Sequence, residues 1–257
     1  MIVDINSYFG TWPYWAMEGT DVGSVLRNMD RCGIDKAFVC SLRGVFMDPA
    51  EGNAETLAAV ERHADRLLPA LTYSPYASGR DRYAEELSAC PARMVKLFPL
   101  NHSYDPLEEP FIEELLNWCG EHRVPVLIPH RLVMSWRFPT FPVAKIGALA
   151  EKHPNATFIL GSINYLFELQ SASDVLRRRP NTLVETSAMM AFEEIRKVTE
   201  EIGAHRLLHG SCNPLQIPAV GPLKVRTAEI PEEQKERILW RNAGEIFDFA
   251  GQEGIPK

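Results

Sequence analysis

At 257 residues and 29.0 kDa, with 46% hydrophobic and 24% charged residues, the chain can bury one sizeable core and has none of the bias of a disordered or fibrous protein. Its 27 Lys and Arg against 34 Asp and Glu leave a net charge of -7, which repels a phosphate backbone and argues against nucleic-acid binding. No signal-peptide core or apolar run of bilayer length occurs, and the five cysteines (Cys32, Cys40, Cys90, Cys119, Cys212) show no CxxC spacing, so a reduced, cytoplasmic protein that does not touch membranes is expected.

Short apolar runs recur along the chain, separated by segments with helical spacing. Strands are expected at Met1 to Ile5, Lys36 to Leu42, Leu67 to Thr72, Arg93 to Phe98, Val124 to Ile128, Ala156 to Leu160, Thr182 to Thr186 and Arg206 to Gly210. Between the first two, Thr20 or Asp21 caps a helix burying Val22, Val25, Leu26 and Met29, stopped by Gly33. Phe111, Ile112, Leu115, Leu116 and Cys119 form a second one-sided stripe. A third, Val143, Ile146, Leu149 and Ala150, ends by His153 because Pro154 follows. Leu169 to Leu176 and Ile195 to Ile202 are weaker stripes. Near the end Pro231 suits a helix start, and Asn242 is expected to cap the last helix.

Strands alternating with helices pair in parallel. Eight of them in a chain of about 250 residues, with no Gly-rich loop after the first, predict an α/β fold: a (β/α)8 TIM barrel, one domain over 1–257, with 213–231 as a lid loop. In that fold the strand ends carry the site. Period two places Asp4, Asn6 and Tyr8 on one face of the first strand, with Val3 and Ile5 against the helices. Lys96 and Glu185 interrupt apolar strands, and buried charges need partners, so Asp4, Lys96 and Glu185 are expected to pair inside the barrel. Such a network is either structural or carries a catalytic Lys96.

The runs Val3 to Gly10, Val95 to Pro99, His153 to Leu160, Arg206 to Ser211 with Pro214, and Asn242 to Phe247 together resemble, in order and over nearly the whole chain, the amidohydrolase-related family. That family includes aminocarboxymuconate-semialdehyde decarboxylase and pyrone dicarboxylate lactonase. The resemblance implies a hydrolase or lyase acting on a small, often ring-derived carboxylate. It also implies a His-x-His pair where this chain has Asn6 and Tyr8. A His after strand five falls on Pro129, one residue before His130; a His after strand six falls on Ser162, and an Asp after strand eight on Cys212. With these ligand positions substituted, no metal and no other cofactor is expected.

The expected site therefore uses Lys96 and Arg131 to hold an anionic group, His130 as acid or base, and Asn6, Tyr8 and Ser162 as hydrogen-bond donors, with Cys212 beside them. Aromatics from two loops, Trp12 and Trp136 among them, would line it for a planar carboxylate, or else plug the barrel or form a homo-oligomer interface. Three alternatives stand beside this reading. One is a rearranged zinc site of His130 and Cys212 with His102 or His209; another is a Cys212 thiol nucleophile activated by His130 or His209. The third is a retired enzyme that binds a metabolite or a partner chain without chemistry.

Overall fold

Each of the eight apolar runs forms a strand: β1 (Val3–Phe9), β2 (Lys36–Ser41), β3 (Leu67–Thr72), β4 (Met94–Lys96), β5 (Val126–Pro129), β6 (Phe158–Gly161), β7 (Thr182–Glu185) and β8 (Leu207–Leu208). The computed structural model describes residues 1–90, 93–133, 138–164 and 166–248. The strands are neighbours in chain order and every pair is parallel, as a (β/α)8 TIM barrel requires. Because β8 has only two residues, the segment after it completes the cylinder. Ile5 N donates to His209 O, Cys212 N to Asn6 O and Tyr8 N to Asn213 O, at 3.0, 2.8 and 2.7 Å.

The helices cover the outside: α1 (Val22–Cys32), α2 (Leu42–Phe46), α3 (Pro49–Arg62), α4 (Tyr83–Ser88), α5 (Pro110–Glu121), α6 (Val143–Lys152), α7 (Leu166–Arg178), α8 (Glu194–Ile202), α9 (Val220–Thr227), α10 (Glu232–Glu236) and α11 (Asn242–Ile246). Asp21 caps α1 by accepting from Ser24 N, and Gly33 ends it at a φ of 67°. The buried face of α3 is Gly52, Asn53, Thr56 and Ala59, so it carries no apolar stripe to read. It docks through polar chemistry: the Asn53 amide donates to Thr72 O and accepts from Thr72 N, clamping β3. Among the described residues no helix is long and apolar enough to cross a membrane.

Two local expectations need correction. Val3, Ile5 and Tyr8 share the interior cluster with Phe38, Met94 and Leu127, so Val3 and Ile5 face into the barrel and not toward the helices. A register shift between Asp4 and Ser7 breaks the alternation of β1, which period-two counting cannot anticipate. Asn242 caps nothing, because helical backbone runs through it from Arg237–Arg241; its amide instead donates to Ala204 O and Leu207 O at the entry to β8, 2.7 Å each. Within 213–231, residues Val220–Thr227 are helical, with Val225 buried.

His209, wholly buried, leaves β8 toward α9, where a Cβ on Gly221 would stand 2.9 Å from its ring. Burial lowers its pKa from 6.5 to about 4, with Asp4 opposing the shift and Lys224 and Arg226 adding to it. A histidine held neutral in the fold takes up its proton more readily when unfolded. Stability is therefore full above pH 6.5 and lost as pH falls toward 4, by about 3 kcal/mol from this group. Urea titrations from pH 7 to pH 4 should show that slope, and His209→Gln should flatten it; an unchanged slope would refute the assignment.

Candidate functional site

The centre of the site is a wholly buried carboxylate. Glu185, the last residue of β7, accepts from Asn6 Nδ2 at 3.1 Å, from the backbone N–H and hydroxyl of Ser162, and from the N–H and hydroxyl of Ser187 at 2.6 and 2.7 Å. It thus ties the ends of β1, β6 and β7 together. Asp4 does the same on the other side, accepting from Asn6 N and Ser211 N at 2.9 and 3.0 Å and from the hydroxyls of Ser7 and Ser211. The expected direct pairing of Asp4, Lys96 and Glu185 is replaced by an amide relay. Lys96 Nζ donates to Asn6 Oδ1 at 2.9 Å and Ser7 O at 3.2 Å, and Asn6 passes its own N–H to Glu185. The ammonium also lies 3.9 Å from the centre of the Tyr8 ring, a buried cation–π contact.

Burial sets the protonation of this network. It pulls the Lys96 ammonium below its ordinary range, an effect that Cys40, Cys212 and the carboxylates of Asp4 and Glu185 oppose. It pushes the Tyr8 phenol well above 10 and raises the Cys212 thiol, so both keep their protons. Cys212 Sγ donates to Leu132 O at 3.5 Å, and not to His130 or His209. Ser162 and Cys212 are in the left-handed region, φ 55° and 56°, which costs a side chain about 1–2 kcal/mol. Their N–H groups, given to Glu185 and Asn6 O, hold them there.

Above the network lies a cavity of about 310 Å³ at the barrel mouth. Trp12, Tyr14, Phe46 and Phe138 wall it, with ring centres 4.8 to 6.1 Å apart around Trp12 and Tyr14. Phe98 and Leu132 also line it. Phe98 packs on Tyr8, and Leu132 takes the Cys212 hydrogen bond, so these two form the floor that separates cavity from network. The structure thus divides the expected residues. Trp12, His130 and Arg131 line the cavity, whereas Asn6, Tyr8, Lys96, Ser162 and Cys212 are sealed beneath it. Trp136 and its neighbour Arg137 lie outside the described residues.

His130 is oriented from both sides. Its Nδ1 donates to Phe141 O, and its Nε2 is 3.4 Å from Glu168 Oε1. Arg131 pairs with the same carboxylate, so Glu168 lies between the guanidinium and the imidazole. Glu168 sits on α7, away from any strand end, and nothing in the sequence marked it. The serines of the network were more legible: Ser162, Ser187 and Ser211 each follow Gly or Thr just past strands six, seven and eight. His102 packs edge-on against Phe98, ring centres 6.1 Å apart, with its Nε2 3.0 Å from Gly44 O. Among the described residues no three His, Cys, Asp or Glu side chains are grouped to hold a metal ion.

A model of the amidohydrolase family matches residues 42–249. No curated protein matches the chain by sequence. Among solved structures, an uncharacterized TIM-barrel protein of Bordetella bronchiseptica superposes with a TM-score of 0.73 at 16% identity, covering 98% of this chain and 99% of that one. The 5-carboxyvanillate decarboxylase of Sphingomonas paucimobilis gives 0.72 at 15% identity, covering 96% and 98%. A probable 2-pyrone-4,6-dicarboxylic acid hydrolase of Acinetobacter baumannii, solved with citric acid bound, gives 0.69 at 14%, covering 96% and 99%. At these identities the likeness to the solved structures is one of fold.

Glu185→Gln tests the network. A glutamine amide turns one acceptor oxygen into an NH2 group facing donors, and an unmatched buried polar group costs about 1–3 kcal/mol, more where a charge was satisfied. Thermal unfolding should show a loss of about 3 kcal/mol; an unchanged melting temperature would mean that Glu185 does not tie the strand ends.

Proposed function

The chain belongs to the amidohydrolase family, and on that footing we propose that it is a hydrolase or lyase of a small, planar carboxylated compound, acting in the mouth cavity without the family's metal. The observation that carries this reading is the cavity wall: an aromatic cage in which, among the described residues, the buried Trp12 Nε1 has no hydrogen-bond partner and His130 Nε2 has only the Glu168 carboxylate nearby, at 3.4 Å. Buried donors and acceptors are rarely left unmatched; a ligand carboxylate or carbonyl would accept from Trp12 Nε1, and a ligand hydroxyl or water would donate to His130 Nε2. The neighbouring structures include a decarboxylase of a carboxylated aromatic and a probable hydrolase of a pyrone dicarboxylate, in keeping with that ligand class.

His130 would be the acid or base. Its Nδ1 proton is committed to Phe141 O, so exchange takes place at Nε2. There it would take a proton from attacking water in a hydrolase, or deliver one to the carbon that loses carboxylate in a lyase. Glu168 would stabilise the imidazolium as it forms, and Arg131 holds Glu168 in place while adding positive charge to the wall. Lys96 would be a positioning residue, fixing Asn6 and the Ser7 carbonyl beneath the floor.

The residues at the family's ligand positions do not fit a divalent cation. Asn6 spends its oxygen on Lys96 and its N–H on Glu185, Tyr8 is a protonated phenol under an ammonium, and Ser162 offers a neutral hydroxyl. A dication there would face the Lys96 charge with its candidate donors already used. A second reading, ligand binding without turnover, is favoured by the burial of the strand-end groups Asn6, Tyr8, Lys96, Ser162 and Cys212.

Screening carboxylated aromatics and lactones against metal-stripped and metal-loaded protein separates the two. Turnover that falls at least 100-fold in His130→Gln at unchanged melting temperature supports the enzyme; thermal stabilisation by a ligand with no turnover supports the binding protein. Elemental analysis should find far less than one equivalent of transition metal, and chelator should leave the melting temperature unchanged. A stoichiometric metal lost on Cys212→Ser or His130→Ala would overturn this and restore a rearranged metal site.

A further inference from the structure

A second cavity, about 450 Å³, opens between the segment after β7 and α9. It shares no residue with the mouth cavity. Met189, Met190, Phe192 and Val220 give it apolar walls, and Met190 and Phe192 are exposed at its edge. Two groups of different chemistry sit among them, Lys224 and Glu194. Lys145, Lys152, Lys197 and Lys235 each face a carboxylate, and Arg196 on this wall is held by Glu193 and Glu200. Lys224 is different: its Nζ donates to Ser187 O at 2.7 Å, and among the described residues no carboxylate stands within ion-pair distance of it. Glu194 is also buried, and its Oε2 accepts from Ala191 N at 2.7 Å.

We propose that Lys224 is a covalent capture site for the carbonyl group of an apolar aldehyde or ketone seated in this cavity, with Glu194 as the proton donor. An ammonium with one carbonyl partner in an apolar wall is poorly stabilised, whereas the neutral amine keeps that hydrogen bond and retains a lone pair for bond formation. Its titration agrees: burial lowers Lys224 to about 8 although Glu185, Glu194 and Cys212 oppose the shift, and His209 lies close enough to feel its charge. Burial raises Glu194, which favours its protonated form.

In the first step the amine nitrogen attacks the carbonyl carbon. The C–N bond forms, the π pair moves to oxygen, and an amine proton passes to that oxygen to give a carbinolamine. Glu194 then protonates the hydroxyl, which leaves as water while the nitrogen lone pair forms C=N. The amine and the carbonyl compound become an imine and one water, and the imine nitrogen's proton returns to Glu194. No oxidant or other reactant is needed.

The test is trapping on the intact protein with hexanal and sodium cyanoborohydride, with adducts located by peptide mass spectrometry. Lys224 should be labelled at least tenfold faster than exposed Lys152, and its rate should rise through a midpoint near pH 8. Glyceraldehyde, a polar aldehyde, should lose that preference for Lys224 over Lys152. Glu194→Gln should slow labelling about tenfold, and Lys224→Arg should abolish it, both with unchanged melting temperature. The wild-type ranking of lysines needs no variant to fold. Labelling of Lys224 no faster than of Lys152, or equal preference with hexanal and glyceraldehyde, would overturn the proposal.

Discussion

The burial of two carboxylates dictates how the strand ends meet. Glu185 and Asp4 are wholly buried, and each must collect enough donors to offset its desolvation. The donors come from serine hydroxyls and backbone N–H groups on different strands, so satisfying the charges also closes the barrel. β8 has only two residues, so backbone hydrogen bonds from the segment after it close the cylinder onto β1, and Asp4 adds two more by accepting from Ser211. The left-handed backbone at Ser162 and Cys212 follows from the same demand, because it points their N–H groups at the acceptors that need them.

That solution uses up polar groups that the sequence suggests for the reacting centre. Asn6 is bonded on both ends of its amide, Lys96 donates to Asn6 and Ser7, and Cys212 gives its proton to Leu132. Their hydrogen bonds run among one another and to the backbone, and Phe98 and Leu132 lie between them and the cavity above. The groups that face the cavity lie one layer higher, in the loops after β1 and β5, where Trp12 and His130 line it.

Much of this was legible in the sequence. Eight apolar runs at regular spacing, capped helices such as α1 and the charges at Asp4, Lys96 and Glu185 follow from periodicity and from the cost of burying ions. The resemblance to the amidohydrolase-related family rests on short runs in the right order, and the match over residues 42–249 agrees with it. The α3 helix was hidden because it docks through Asn53 and small residues, with no stripe for periodicity to detect.

Sequence alone determined the strand count, the barrel class and which charges had to be internal, because these depend on local spacing and on desolvation. Only the tertiary structure decided who partners whom. A register shift in β1 turned Val3 and Ile5 inward, and an amide took the place of a direct ion pair. Phe98 and Leu132 became a floor between residues that strand counting had put in one site. Glu168 reached His130 from a helix 37 residues beyond Arg131, a distance set by packing and invisible to any local pattern.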